Sequence, residues 1–329
     1  MDNFLITGGC GFIGSYLAEE LVKQNKKVFV IDDLSTGSLK NLSNIINHKN
    51  LNIFIDTILN QHLIEQLIKK VDFVFHLAAV VGVKKVMESP IDSIIVNIEG
   101  TKNILKFCAK HRKKVLITST SEVYGKNVNV PFSESADIVI GSTKKKRWSY
   151  ACTKAIDEFL SFAFYEEYGL SVIIVRLFNT VGARQTERYG MVIPRFTKQA
   201  LSGNPITIFG NGEQTRCFIH VKDVISTLLK LIDKDESYGD IFNIGSDEEI
   251  KIKDLAFLIK EITKSNSEIK FVDPEEVYNK GFEDMARRIP DLSKLRKTID
   301  FQPCYTIKDI IIDVVEYYKK QSDLLPYFC

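Results

Sequence analysis

The sequence has almost no net charge. Its 44 lysines and arginines are nearly matched by 42 aspartates and glutamates, leaving +2 at neutral pH. No surplus of basic charge is available to follow a phosphate backbone, so nucleic acid is not an expected partner. The cysteines carry no pairing pattern: Cys10, Cys108, Cys152, Cys217, Cys304 and Cys329 form no C-x-x-C motif and no zinc-ligand spacing. Reduced thiols and no bound metal are expected. Long apolar runs are missing too. The stretch Val71–Val83 is too short to span a bilayer and contains Asp72 and His76, so no membrane association is expected. Met1-Asp-Asn3 leads into the apolar Phe4-Leu-Ile6 without a basic leader, which makes the cytoplasm the expected location. Repeats and low-complexity segments are absent, and Lys144-Lys-Lys-Arg147 is the single basic run. That run reads as a solvated loop, with a phosphate or carboxylate contact as the alternative.

What is present is a hydrophobic content of 45%, ample for a sizeable core, in a chain of 329 residues that is long for one domain. The first half alternates short apolar runs with amphipathic stretches, the pattern of βαβ units. Phe4–Thr7, Lys27–Ile31, Leu51–Ile55, Phe73–Leu77, Val115–Thr118 and Ser171–Leu177 are predicted strands. Gly14–Gln24, Leu63–Lys70, Ile94–His111 and Cys152–Tyr168 are predicted helices, the first burying Ile13, Leu17, Leu21 and Val22. The expected fold is therefore α/β, a doubly wound parallel Rossmann sheet of six or seven strands. Beyond about residue 180 glycine and proline punctuation increases, at Gly182, Gly190, Pro194, Gly203, Pro205, Gly210 and Gly212. Short strands at Ile206–Phe209, Ile241–Ile244 and Ile269–Val272 are mixed there with helices. Residues 1–180 are read as the cofactor domain carrying the catalytic residues. Residues 181–329 are read as a smaller mixed α/β C-terminal lobe for substrate, with a cleft between the two.

Two glycine registers overlap after the first strand, Gly8-x-x-Gly11-x-x-Gly14 and Gly9-x-Gly11-x-x-Gly14. A strand before and a helix after are the context a dinucleotide site requires. Glycine lets a pyrophosphate approach the backbone, and the helix N-terminus at Phe12 and Ile13 offers free N–H groups and a positive dipole end. Asp32 ends the second strand, where a carboxylate accepts hydrogen bonds from ribose hydroxyls and repels a 2′-phosphate. Asp33-Leu-Ser-Thr36 supplies no arginine to receive one, so NAD is favoured over NADP. Asp56, after the third strand, either caps the adenine or is a plain loop residue. Farther along, Tyr150 and Lys154 stand at i and i+4 in Ser149-Tyr-Ala-Cys-Thr-Lys154, on one face of a predicted helix. A nearby ammonium favours the phenolate and lowers the tyrosine pKa from near 10. With Thr120 upstream, the set predicts hydride transfer to a nicotinamide, with tyrosine as proton acceptor.

These residues resemble the extended short-chain dehydrogenase/reductase family, specifically its nucleotide-sugar epimerases and dehydratases, over almost the whole chain. His76-Leu-Ala-Ala79 is similar to the family's fourth-strand motif, which implies that Leu77, Ala78 and Ala79 line the cofactor. Asn97-Ile-Glu-Gly-Thr101 resembles its N-x-x-G-T segment, and Ser119-Thr-Ser-Glu-Val-Tyr-Gly125 resembles the strand end bearing the catalytic Ser/Thr. Arg176-Leu-Phe-Asn-Thr-Val-Gly182 resembles the segment meeting the nucleotide sugar, with Asn179 in it. Gly210-Asn-Gly-Glu-Gln-Thr-Arg-Cys-Phe-Ile-His-Val221 and Arg288-Ile-Pro-Asp291 resemble segments whose arginines bind diphosphate, here Arg216 and Arg288. Ala183 departs from the family's usual proline, which implies a less rigid loop, and the approach to Tyr150 through Lys144–Trp148 is longer than in many members.

The resemblance implies oxidation at C4 of a nucleotide-diphosphate sugar by tightly bound NAD, in the synthesis of surface polysaccharide or glycoconjugate precursors. Thr120 donates or relays a hydrogen bond, Tyr150 removes the O4 proton, and Lys154 lowers the phenol pKa and bonds the nicotinamide ribose. Asn97 supports either a water relay or packing. Arg216 and Arg288 clamp the diphosphate. The 4-keto sugar then has several fates: epimerisation, dehydration, decarboxylation or release. Glu122, next to Ser121, is the residue that discriminates, because the Thr120-Ser-Glu122 string resembles both GDP-mannose-type dehydratases and UDP-glucuronate decarboxylases. The Tyr150 helix looks more like that of an epimerase, and 4-epimerisation is the expected net reaction. A silent NAD-binding regulatory protein is the alternative of another class, and the intact Thr120, Tyr150 and Lys154 count against it. Apolar residues in excess on the helices Ile94–His111 and Cys152–Tyr168, including Phe107, Phe159, Phe162 and Phe164, together with the family's four-helix pairing, imply a homodimer or a dimer-based assembly.

Overall fold

A computed structural model describes residues 1–81, 89–186, 191–273, 285 and 287–324. Val83, Gly190 and Cys329 of the sequence reading lie outside them. The first half runs β1 (Asn3–Thr7), α1 (Phe12–Lys23), β2 (Lys27–Asp32), β3 (Leu51–Ile55), α2 (Gln61–Lys69), β4 (Phe73–His76), α3 (Pro90–Lys110), β5 (Lys114–Thr120), α4 (Trp148–Tyr168) and β6 (Val172–Leu177). The second half runs β7 (Thr180–Val181), α5 (Val192–Leu201), β8 (Ile206–Phe209), β9 (Thr215–Cys217), β10 (Ile219–His220), α6 (Val221–Ile232), β11 (Asp240–Ile244), β12 (Glu249–Lys251), α7 (Ile252–Thr263), β13 (Ile269–Val272), α8 (Ser293–Ile299) and α9 (Ile307–Leu324).

The main sheet has seven strands in the order β11-β6-β5-β4-β1-β2-β3, all parallel. Successive residues of a strand point to opposite faces. In β1, Phe4 and Ile6 join a core with Leu17, Leu21 and Val224 of α1 and α6, while Leu5 joins one with Ile64, Leu67 and Ile104 of α2 and α3. Each side chain of this size contributes about 1.5–3 kcal/mol on full burial. Both faces are covered, which is why the strands read as unbroken apolar runs. A separate core of Ile193, Phe196, Ile208, Leu255, Ile259 and Ile310 holds the second lobe, whose strands form three short pairs.

The expected cut at residue 180 is not clean. The strand at 240–244, read as part of the second lobe, is β11, an edge strand of the main sheet, and α6 packs on α1's side of it. A short apolar run does not reveal which sheet it joins. The apolar excess on α3 and α4 also resolves differently from expectation. Phe107 is buried against the sheet, Phe162 and Phe164 pack beside it, and Phe159 is 68% exposed. Among the described residues five cysteines are free thiols, no cluster could hold a metal, and no helix is long and apolar enough to cross a membrane.

Candidate active site

A cleft of about 1470 Å³ opens where the strand ends of the main sheet meet the second lobe. Typical small-ligand pockets measure roughly 300–1,000 Å³, so this one has room for two partners. At one end, β1 turns into α1. Gly8 has φ +71°, and a Cβ there would touch the Ala78 backbone nitrogen at 2.9 Å. A Cβ on Gly14 would lie 2.2 Å from the Gly8 carbonyl oxygen. Only glycine fits this crossing of loop and helix, and the result is a cradle under a helix N-terminus that has no side-chain cap and no acidic residue in its first turn. Gly8, Gly11, Phe12, Ile13 and Gly14 all line the cleft.

Asp32 sits at the tip of β2, buried, facing the same space. The Cys10 and Leu34 backbone N–H groups donate to its two oxygens at 2.9 and 2.8 Å. Burial pushes its carboxyl up and these bonds counter the rise. Asp56 also lines the cleft, with both oxygens occupied locally, by the Thr57 N–H at 2.7 Å and Asn60 Nδ2 at 2.8 Å. Leu77, Ala78 and Ala79 form the adjoining wall. The uncapped helix, the glycine cradle and the Asp32 carboxylate at the strand end fit a dinucleotide. Asn97 does not reach the cleft. It is buried, accepts the Val80 N–H at 2.7 Å and donates to Thr153 Oγ1 at 3.3 Å, so it fixes the loop after β4 to α4. Of the two roles open for it, the geometry supports packing.

Thr120, Ser121, Glu122, Tyr150 and Lys154 gather at the middle of the cleft, from the end of β5 and the first turns of α4. Thr120 accepts the Glu122 N–H at 3.3 Å and is a polar neighbour of the Tyr150 phenol. The expected lowering of that phenol by Lys154 is not found. Burial pushes the Tyr150 phenol up, the charges of Glu122 and then Asp157 push it further, and Thr120 alone pulls it back. The Lys154 ammonium is held instead by Asp157 Oδ2 at 2.7 Å, with both side chains buried. The i+4 spacing put lysine and tyrosine on one face, but i+3 is also on that face, and the carboxylate there takes the ammonium.

Glu122 is gripped from two sides. Arg288 Nη2 lies 2.7 Å from Oε1, and Arg147 Nη2 lies 3.1 Å from Oε2. Burial would raise the Glu122 carboxyl, but Arg288 and Arg147 outweigh it and hold it at about 2. Arg147 was expected on a solvated loop. Lys144 and Lys146 are indeed exposed, whereas Arg147 is buried, stacks over the Trp148 ring at 4.9 Å and lines the cleft. Its position one turn before Tyr150 was the available signal. Arg288 was expected on a diphosphate; here it faces Glu122 at the Tyr150 end. Asn179 donates to the Cys217 carbonyl at 2.9 Å and lines the cleft with the buried Arg216. Arg195, unforeseen, lies over the Phe209 ring at 4.0 Å on the second-lobe wall. Ala183, where proline was expected, donates its N–H to Asp313 Oδ2 at 2.9 Å. Proline has no N–H to give, so the departure tethers the loop to α9 and does not loosen it.

A family model described as GDP-mannose 4,6 dehydratase matches residues 5–314. The chain belongs to the extended short-chain dehydrogenase/reductase family of NAD-dependent nucleotide-sugar enzymes. Within that family it is 42% identical over 317 residues to the UDP-N-acetyl-alpha-D-glucosaminuronate decarboxylase of Bacillus cytotoxicus, covering 96% of this chain and 97% of that protein. It is 32% identical over 319 residues to UDP-glucuronic acid decarboxylase 1 of Xenopus tropicalis, covering 97% and 72%. The solved UDP-glucuronic acid 4-epimerase of Bacillus cereus, in complex with UDP-glucuronic acid and NAD, superposes with a TM-score of 0.87 at 26% identity, covering 97% of this chain and 99% of that one. Relatives with these names include epimerases and decarboxylases, and the solved epimerase shares the fold described above.

Proposed function

We propose that the protein removes the carboxyl group of a UDP-activated uronic acid through oxidation at C4. The observation that carries this reading is the pair of buried guanidinium groups, Arg147 and Arg288, gathered on Glu122 beside Thr120 and Tyr150. A guanidinium gives bidentate, charge-assisted hydrogen bonds to a carboxylate, so two of them at the sugar end of the cleft suit a carboxylate on the substrate. The decarboxylase names of the relatives at 42% and 32% identity support the same choice.

Tyr150 takes the O4 proton, with Thr120 beside its phenol. NAD, when bound, accepts the C4 hydride and returns it. Once C4 is a carbonyl, the C6 carboxylate is β to a ketone. The C5–C6 bond breaks, carbon dioxide leaves, and the bonding pair enters the C4 carbonyl until a proton is added at C5. This step needs no base. Dehydration does need one at C5, and a glutamate held at about 2 by two arginines is a weak base, which counts against Glu122 in that role. Arg216 and Asn179 remain for the diphosphate and nucleotide.

Epimerisation of a carboxylated sugar is the second reading, favoured by the fold shared with the Bacillus cereus 4-epimerase. Incubation with UDP-glucuronic acid and its 2-N-acetyl analogue, followed by mass spectrometry and NMR, separates the outcomes. Loss of carbon dioxide supports decarboxylation, and unchanged mass with inverted C4 supports epimerisation. If neither sugar changes and bound NAD stays oxidised, the reading fails. We further propose a homodimer through α3 and α4, where Ile91 is 70%, Phe159 68% and Tyr168 66% exposed; a second copy of the chain covers them.

A further inference from the structure

Asp157 is the partner of Lys154, and neither the motif nor the mechanism above assigns it a task. Its side chain is fully buried and Lys154 is 2% exposed, 2.7 Å apart. A buried ion pair must recover the cost of leaving water, so its geometry is under tight demand. Asp157 Oδ2 takes the lysine, its Oδ1 has no hydrogen-bond partner, and Thr101 on α3 is a polar neighbour that favours its ionised form. The Thr101 hydroxyl then meets His76 Nε2 at 3.1 Å, His76 Nδ1 meets the Thr7 hydroxyl at 2.8 Å, and Thr7 Oγ1 accepts the Ala78 N–H at 3.1 Å. The chain of bonds from Thr101 thus starts beside the buried pair and ends at the loop after β4 that walls the cofactor end of the cleft.

We propose that Asp157 is a positioning residue of this reaction: it fixes the Lys154 ammonium and offsets that charge as it is felt at the Tyr150 phenol. The proposal rests on Tyr150 as proton acceptor. The surroundings leave Asp157 as an adjustable charge. His76, held down to about 3 by burial and then by Lys154, stays neutral. Glu158, next on α4, is taken by Arg176 at 2.7 Å. Glu122, the other anion acting on the phenol, is matched by Arg147 and Arg288. Asp157 lies on the phenol's own helix, about two turns after Tyr150, with Lys154 as its cation. With the two charges nearly cancelling, the phenol is not activated by the lysine as long as the carboxylate is ionised.

Asp157→Asn keeps an acceptor for Lys154 and removes the charge. The phenol of the holoenzyme is titrated by its ultraviolet difference absorbance, with Tyr150→Phe subtracted. Removing a neighbouring anion favours the phenolate, so the Tyr150 midpoint moves down, by about one pH unit. The rising limb of the rate against pH moves the same way, so the variant is up to about tenfold faster on the acid side. Asp157→Ala removes the acceptor as well, and its NAD affinity falls about tenfold as Lys154 loses its anchor. A residue that only holds the fold would lower the melting temperature and leave the phenol midpoint in place. An unmoved midpoint in a folded Asp157→Asn holoenzyme overturns the proposal. The titration needs no substrate. If the unaltered protein oxidises no nucleotide sugar, the proposed function fails separately, and the phenol midpoint still decides the role of Asp157.

Discussion

Replacing Arg288 with methionine keeps a long apolar stem and deletes one of the two guanidinium groups on Glu122. Holding that carboxyl at about 2 against an ordinary 4.5 corresponds to about 3 kcal/mol of preference for the ionised form. Two arginines share it, so losing one costs about 1–2 kcal/mol at neutral pH, within the range for charged hydrogen bonds. The sign of the pH dependence follows. A carboxyl whose folded pKa is depressed contributes stability that is complete above its unfolded value. That contribution is lost as the pH falls toward its folded value of about 2. The gap between the unaltered protein and Arg288→Met should therefore be full at pH 7 and narrow below about 4.5. Urea denaturation at a series of pH values measures it. The double variant with Glu122→Gln should depart from additivity, because Glu122 is the group on which Arg288 acts. In turnover, Arg288→Met should slow carbon dioxide release from a uronic acid by about ten- to a hundredfold, the worth of one charged contact. A gap in stability that does not change with pH, or a double variant whose losses simply add, would refute the coupling.

Tyr150→Phe should keep NAD and nucleotide-sugar binding but slow NAD reduction by at least about a hundredfold, read as absorbance of the reduced cofactor. Acid denaturation of the purified protein should release NAD(H); NADP(H) as the main species would overturn the argument from Asp32. Ala183→Pro, which restores the family's common residue, should destabilise by about 1–3 kcal/mol because Asp313 loses a donor; an unchanged melting temperature would remove the tether. Light scattering should give a dimer, and charged substitutions at Ile91 and Phe159 should give a monomer of unchanged helix content by circular dichroism.

Elements with strong local signals were legible in the sequence. The glycine turn, the strand ends at Thr7, Asp32 and His76, and the Tyr150–Lys154 spacing each encode their own geometry, and all but Asn97 of the candidate site residues line one cleft. What was hidden depended on contacts far apart in the chain. Nothing local tells β11 to pair with β6, since a buried run of five residues suits either lobe. Arg147 follows three lysines, and its burial comes from Trp148 and Glu122, not from its neighbours' polarity. The pull of Lys154 on Tyr150 was inferred from two residues when a third, Asp157, shares the helix face. Charge balance at a site depends on every group within reach, and a spacing rule counts only two.

The return of the chain to the main sheet through β11 bears on how this protein can be handled. β6 pairs on one side with β5 and on the other with β11, more than sixty residues later. A product truncated near residue 180, whether by a protease or by a premature stop, would keep the glycine turn, Tyr150 and Lys154. It would also present the bare edge of β6, with the apolar Val172, Ile173, Ile174 and Val175 uncovered. An open, apolar strand edge invites pairing with another chain. Such half-length fragments should collect as aggregates rather than as small soluble cofactor-binding domains, and a nascent chain cannot complete the seven-stranded sheet until residue 244 has emerged.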